Sequence, residues 1–114
     1  MNIIFDAKEV TYNEAIGGDI VQVYFNQEDN DDILDNPFKY LLLSINYEFP
    51  PYEPSIEWYD GDEFNGGGKI IDYNFQIDGL KMQLDNGLRF DISFKIEKDL
   101  FNKIYKFISD IHKN

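Results

Sequence analysis

The chain has no cysteine. That removes disulfides, thiolate metal sites and cysteine nucleophiles, and it fits a reducing compartment. Histidine is nearly as scarce: His112 stands alone, close to the C-terminal end where fraying is expected. A Ser-His-Asp or Cys-His arrangement, or a multi-histidine zinc site, therefore has too little to draw on. No stretch approaches the roughly 18 consecutive apolar residues of a membrane span. The start of the chain has an apolar patch of only three residues (Ile3, Ile4, Phe5) with no preceding Lys or Arg, so it does not read as a signal peptide. The expected location is the cytoplasm.

Basic residues are the next shortage, with 10 Lys and Arg against 22 Asp and Glu and a net charge of −12. The imbalance is regional. Residues 1–80 carry three Lys (Lys8, Lys39, Lys69) and seventeen acids, a balance of −14, whereas residues 81–114 carry seven bases and five acids, a balance of +2. Direct binding to nucleic acid or to an anionic membrane is disfavoured, because both depend on cations placed against phosphates. A basic protein partner is favoured, with electrostatic steering raising the encounter rate.

Apolar and aromatic residues, by contrast, are plentiful. Ten Phe, eight Tyr and one Trp within 43% hydrophobic content suffice for one packed core and argue against disorder. A single domain over residues 1–114 is expected, without internal repeat or linker.

The clearest local pattern begins at Lys69. Ile71, Tyr73, Phe75 and Ile77 alternate with Asp72, Asn74 and Gln76 at the two-residue period of a half-buried strand. Asp78-Gly79 reads as a two-residue type I′ turn, which pairs Ile77 with Leu80, Phe75 with Met82 and Tyr73 with Leu84. For the next turn, a two-residue Asn86-Gly87 loop would set polar Asp85 opposite Leu88 and invert every later side chain. A three-residue loop Asp85-Asn86-Gly87, with Gly87 left-handed, instead pairs Leu84 with Leu88, Met82 with Phe90 and Leu80 with Ile92. A three-stranded antiparallel meander with one apolar face results.

The period then changes. Leu100, Phe101, Ile104, Phe107, Ile108 and Ile111 mark one face of a C-terminal helix, with Asp99 near its start and His112 and Lys113 near its end, as the helix dipole favours. Its apolar stripe is the natural cover for the meander. Upstream, Glu9–Tyr12, Ile20–Asn26, Phe38–Tyr47 and Ser55–Asp60 read as strands, the continuous apolar run Tyr40–Leu43 marking burial on both faces or a central strand. The expected fold is α+β and mostly β: an antiparallel sheet, made of the meander and about four upstream strands, packed against one C-terminal helix.

Two segments stand out as candidate sites. Glu28, Asp29, Asp31, Asp32 and Asp35 form a loop without a base between two expected strands. It reads either as a solubilising surface loop or as a docking surface for Lys and Arg, and it lacks the central glycine and distal glutamate of an EF-hand. The second segment, residues 57–65, mixes aromatics with acids: Glu57, Trp58, Tyr59, Asp60, Asp62, Glu63 and Phe64, followed by Gly66-Gly67-Gly68. That is the composition of a recognition edge facing a basic protein. The bland alternative puts Ile56 and Trp58 in the core and leaves residues 60–68 as a flexible connection. The glycines are not followed by the Lys-Ser or Lys-Thr of a phosphate loop. With so many carboxylates some pair will be close by chance, so paired-acid catalysis gains nothing from abundance. The reading is a binding protein, not an enzyme, with no cofactor or metal.

From Pro54 to Phe94 the chain resembles the immunity protein 10 family of bacterial polymorphic toxin systems. The resemblance rests on Ile56-Glu57-Trp58-Tyr59-Asp60, the glycine-rich turn Asn65-Gly66-Gly67-Gly68, and Leu88-Arg89-Phe90-Asp91-Ile92. It implies a small, mostly β protein that neutralises a cognate toxin by occluding its active site. Nuclease toxins are often basic because they grip phosphates, and an acidic inhibitor can occupy that surface. The expected partner-binding residues are Glu28, Asp29, Asp31, Asp32, Asp35, Asp60, Asp62 and Glu63, with Tyr59 and Tyr52 as aromatic anchors. Two other binding roles fit the composition: an acidic DNA-mimic inhibitor of a nucleic-acid enzyme, and a carbohydrate-binding β-domain that stacks sugars on Trp58, Tyr59 and Tyr52.

Overall fold

A computed structural model of the chain describes residues 2–27, 38–50 and 52–112. The fold is α+β and mostly β, with nine strands and one C-terminal helix among the described residues. The strands are β1 (Asn2–Asp6), β2 (Glu9–Ala15), β3 (Ile20–Asn26), β4 (Tyr40–Asn46), β5 (Ser55–Tyr59), β6 (Phe64–Gly66), β7 (Ile70–Gln76), β8 (Gly79–Leu84) and β9 (Arg89–Ser93), followed by α1 (Lys98–His112). They form two sheets, a four-stranded one in the order β1-β9-β8-β7 and a five-stranded one in the order β2-β3-β4-β5-β6.

The meander forms as its alternation predicts, and its second turn has the expected register. Met82 lies opposite Phe90 and Leu80 opposite Ile92. Gly87 adopts φ 90°, and the Leu84 N–H donates to the Leu88 carbonyl at 2.9 Å. The first turn differs. Gln76 lies opposite Gly79, Phe75 opposite Leu80 and Tyr73 opposite Met82, so the loop is Ile77-Asp78 rather than Asp78-Gly79. Gly79 is used for close approach within a strand, since a Cβ there would come 3.2 Å from the Ile92 carbonyl oxygen. The pairing slips by two, which keeps Tyr73 and Phe75 on the core side but leaves Ile77 exposed. A bulge between Ile70 and Asp72 corrects a second expectation: Ile70 packs against the core and Ile71 is turned out to solvent.

The four upstream strands form close to their expected positions, and β4 is the central strand of its sheet. Two further strands went unread. In β1, Ile3 and Phe5 face the core and the strand runs parallel to β9. The short β6 lies within the stretch that could be taken for a plain connection.

Cover for the meander comes mainly from the second sheet. Val21, Val23 and Phe25 of β3, Leu41, Leu43 and Ile45 of β4, and Ile56 and Trp58 of β5 share one core with Leu80, Met82, Leu84, Phe90 and Ile92. Phe25 meets Phe75 and Phe94, and Trp58 meets Phe90 edge-on at 5.7 Å. The helix buries Ile104, Phe107, Ile108 and Ile111, as its stripe requires. It packs against β7 and β2, with Phe101 stacked on Phe75 and Phe107 edge-on to Tyr12.

Nothing lies within 4 Å of where a Gly87 Cβ would stand, so a substitution there tests backbone conformation alone. Gly87→Ala is expected to lower stability by about 1–2 kcal/mol, the cost of a left-handed L-residue, as read from urea unfolding with an unchanged slope.

Candidate functional site

Because β3, β4 and β5 send alternate residues into the core, the residues between them are displayed on the outer face of the five-stranded sheet. Strand register lines up Glu9, Asn26, Tyr40, Tyr59 and Phe64 in one row, and Tyr24, Leu42, Glu57 and Gly66 in a neighbouring row. The first row is an aromatic patch. Tyr40 lies 5.4 Å from Tyr24, 6.4 Å from Phe38, 6.3 Å from Tyr59 and 6.1 Å from Phe64 between ring centroids. Tyr59 and Phe64 stack at 4.4 Å and 20°. These contacts bury Tyr40 on what would otherwise be a solvent face, while Phe64 remains 68% exposed at the margin.

Carboxylates border the rings. The Tyr40 hydroxyl donates to Glu57 Oε2 at 3.2 Å. Burial, followed by the nearby Glu57 charge, pushes the Tyr40 phenol up to about 12. Beyond Tyr59 the chain turns sharply. Asp60 Oδ1 accepts the backbone N–H groups of Asp62 and Glu63, each at 2.8 Å, and Gly61 takes φ 98°. Those backbone bonds hold the Asp60 carboxyl below the usual aspartate range. Asp60 therefore organises the turn, and Asp62 and Glu63 are the acids it presents to solvent.

Glu28, Asp29, Asp31, Asp32 and Asp35 lie outside the described residues. The two ends of their segment are joined: the Gln27 N–H donates to the Lys39 carbonyl at 2.9 Å, and the Lys39 N–H donates to Gln27 Oε1 at 3.0 Å. Asn26 and Tyr59 both lie opposite Tyr40, so the connection leaving β3 and the turn leaving β5 start from the same end of the sheet. Tyr59, Asp60, Asp62 and Glu63 are thus brought together, beside the point where the other acidic segment departs.

Tyr52 does not join them. It belongs to the connection between β4 and β5, at the opposite end of the sheet, with φ 55°. There it borders an open groove of about 850 Å³ with Pro54, Ile56, Ile70 and His112. Neither Tyr52 nor the exposed Phe49 nearby takes part in a ring contact among the described residues.

Three contributors were missed in the sequence: Tyr24, Phe38 and Tyr40. Tyr40 was read as part of an apolar central run, yet it has the opposite parity to Leu41, Leu43 and Ile45. That parity is the signal that would have placed it on the outer face. Among the described residues no group of three or more His, Cys, Asp or Glu is placed to hold a metal ion, and no helix is long and apolar enough to cross a membrane. No family model, curated protein or solved structure matches the chain.

The raised Tyr40 phenol gives a pH test with a defined sign. The folded state holds this proton more tightly than the unfolded chain, whose tyrosines titrate near 10. The stability it contributes is therefore complete below about pH 10 and lost as pH rises toward about 12. Tyr40→Phe is expected to cost about 1 kcal/mol at neutral pH through the lost hydrogen bond. It should also flatten part of the alkaline fall in stability, as measured by urea unfolding across that range.

Proposed function

We propose that the chain is an immunity protein that binds a cognate bacterial toxin of basic surface in the cytoplasm and blocks its active site, acting by binding rather than by catalysis. The observation that carries this reading is the aromatic patch of Tyr40, Tyr59 and Phe64 bordered by Glu57, Asp62 and Glu63 on a chain of net charge −12. Phe64 is exposed and Tyr59 half-buried beside the buried Tyr40; accessible rings supply contact area at low entropic cost, and they accept the face of an arginine or the stem of a lysine. The carboxylates beside them draw such cations in from a distance and penalise acidic competitors. The family resemblance of residues 54–94 supports the same role, since much of the patch lies in or next to that stretch. A basic toxin whose active site grips phosphates would be covered where its own cations are densest.

The test uses the toxin domain encoded by the open reading frame beside this gene. Asp62→Lys combined with Glu63→Lys leaves Asp60 and its turn in place. Association of the double variant with the toxin domain should slow by at least about tenfold at low salt, and protection of toxin-expressing cells should fall with it. The wild-type rate should itself fall as ionic strength rises. Unchanged affinity and protection in a variant of normal thermal stability would remove this surface from the mechanism. A neighbouring gene without a toxin, together with capture of a nucleic-acid enzyme, would favour the DNA-mimic role instead.

A further inference from the structure

Four strands form the borders of the two sheets, and three of them have the helix or a lysine side chain set against them. The helix packs against β2 and β7, with the Tyr73 and Ser109 hydroxyls 3.0 Å apart. At β1, the Ala7 N–H donates to the Ser93 carbonyl at 2.8 Å. That bond fixes the alternation in the parallel pair: odd-numbered residues bond β9 and even-numbered ones point away from it. One outward carbonyl, that of Ile4, accepts Lys39 Nζ at 3.2 Å.

The fourth border, β6, has no such guard among the described residues. Its alternation follows from the bonds at either end, where the Asp60 N–H donates to the Glu63 carbonyl at 3.3 Å and the Gly67 N–H donates to the Ile56 carbonyl at 2.8 Å. Asn65 therefore bonds β5, while the N–H and C=O groups of Phe64 and Gly66 point outward. Residues 62–69 are all exposed. An open edge of this kind is a template for another strand, and proteins ordinarily blunt it.

We infer that β6 is a docking edge for an extended segment of the basic partner, which adds to the five-stranded sheet as a further strand. The segment would exchange backbone hydrogen bonds with Phe64 and Gly66, and set alternate side chains on the exposed face of Phe64. Its Lys or Arg residues would meet Asp62 and Glu63 at the start of β6. Charge selects this occupant over a second copy of the chain, which would bring another net −12 to the same edge. The inference rests on the basic-partner reading above and specifies how that partner is held.

The outward donor can be removed separately from the ring. Phe64→Ala deletes the ring and keeps the N–H. Phe64→Pro deletes both, and the lost N–H is not one that bonds β5. The probe is a short synthetic peptide alternating arginine and valine, titrated to millimolar concentration into isotope-labelled protein and followed by nuclear magnetic resonance. The Phe64 and Gly66 amides should shift and gain protection from hydrogen exchange, while Asn65, already bonded to β5, changes little. Phe64→Pro should bind about five- to tenfold more weakly than Phe64→Ala, the loss of one backbone hydrogen bond. No response at the Phe64 and Gly66 amides, or equal affinities for two folded variants, would overturn strand addition. If Phe64→Pro fails to fold, the exchange protection of those two amides decides alone. With the toxin domain as ligand, weaker binding after charge reversal at Asp62 and Glu63 but equal binding by the two Phe64 variants would leave the immunity reading standing and remove the edge.

Discussion

The seam between the two sheets is closed by aromatic rings, and the remaining features depend on how strands fill it. Phe25 of β3 is fully buried against Phe75 of β7 and Phe94 beyond β9, and Trp58 of β5 meets Phe90 of β9. Strand side chains alternate, so each residue committed to the seam sends its neighbours to the opposite face. Once Val23 and Phe25, Leu41 and Leu43, and Ile56 and Trp58 face inward, Tyr24, Tyr40, Glu57 and Tyr59 must face outward. The aromatic patch is therefore a by-product of core packing, held by the same hydrogen-bonded ladder, and it needs no separate scaffold.

The meander, the helix and four of the upstream strands were legible because each has a strong period bounded by turn residues. The Asp85-Asn86-Gly87 loop could be chosen over its rival because one residue more or fewer would have turned an apolar face outward. The Asp78-Gly79 turn was misplaced because the competing register differs by two residues, which preserves the face and leaves periodicity silent. Only the closeness of the Ile92 carbonyl to Gly79 decides it, and that contact is tertiary. β1 was missed because its partner lies near the other end of the chain. β6 was missed because three residues ending in glycine carry no period.

The same distinction applies to the site. Acidic and aromatic composition located Tyr59, Asp60, Asp62 and Glu63, but it could not separate Asp60, whose carboxylate ties the turn together, from the acids the turn presents. Nor could composition show that Tyr52 stands at the far end of the sheet, or that Tyr40, Phe38 and Tyr24 join Tyr59. Those relations are set by strand order and register, which depend on pairings between residues far apart in sequence.

The parallel pairing of β1 with β9 has a kinetic side. Asn2–Asp6 find their hydrogen-bonding partners in Arg89–Ser93, far along the chain. Ile3 and Phe5 therefore have no partner strand until β9 is in place, and a contact that closes so long a loop forms slowly. Until then the four-stranded sheet lacks its border strand, and the β9 edge is open to other chains. Pairing β1 with β9 thus does two things at once: it seats Ile3 and Phe5 in the core and closes an edge that would otherwise be open to another strand.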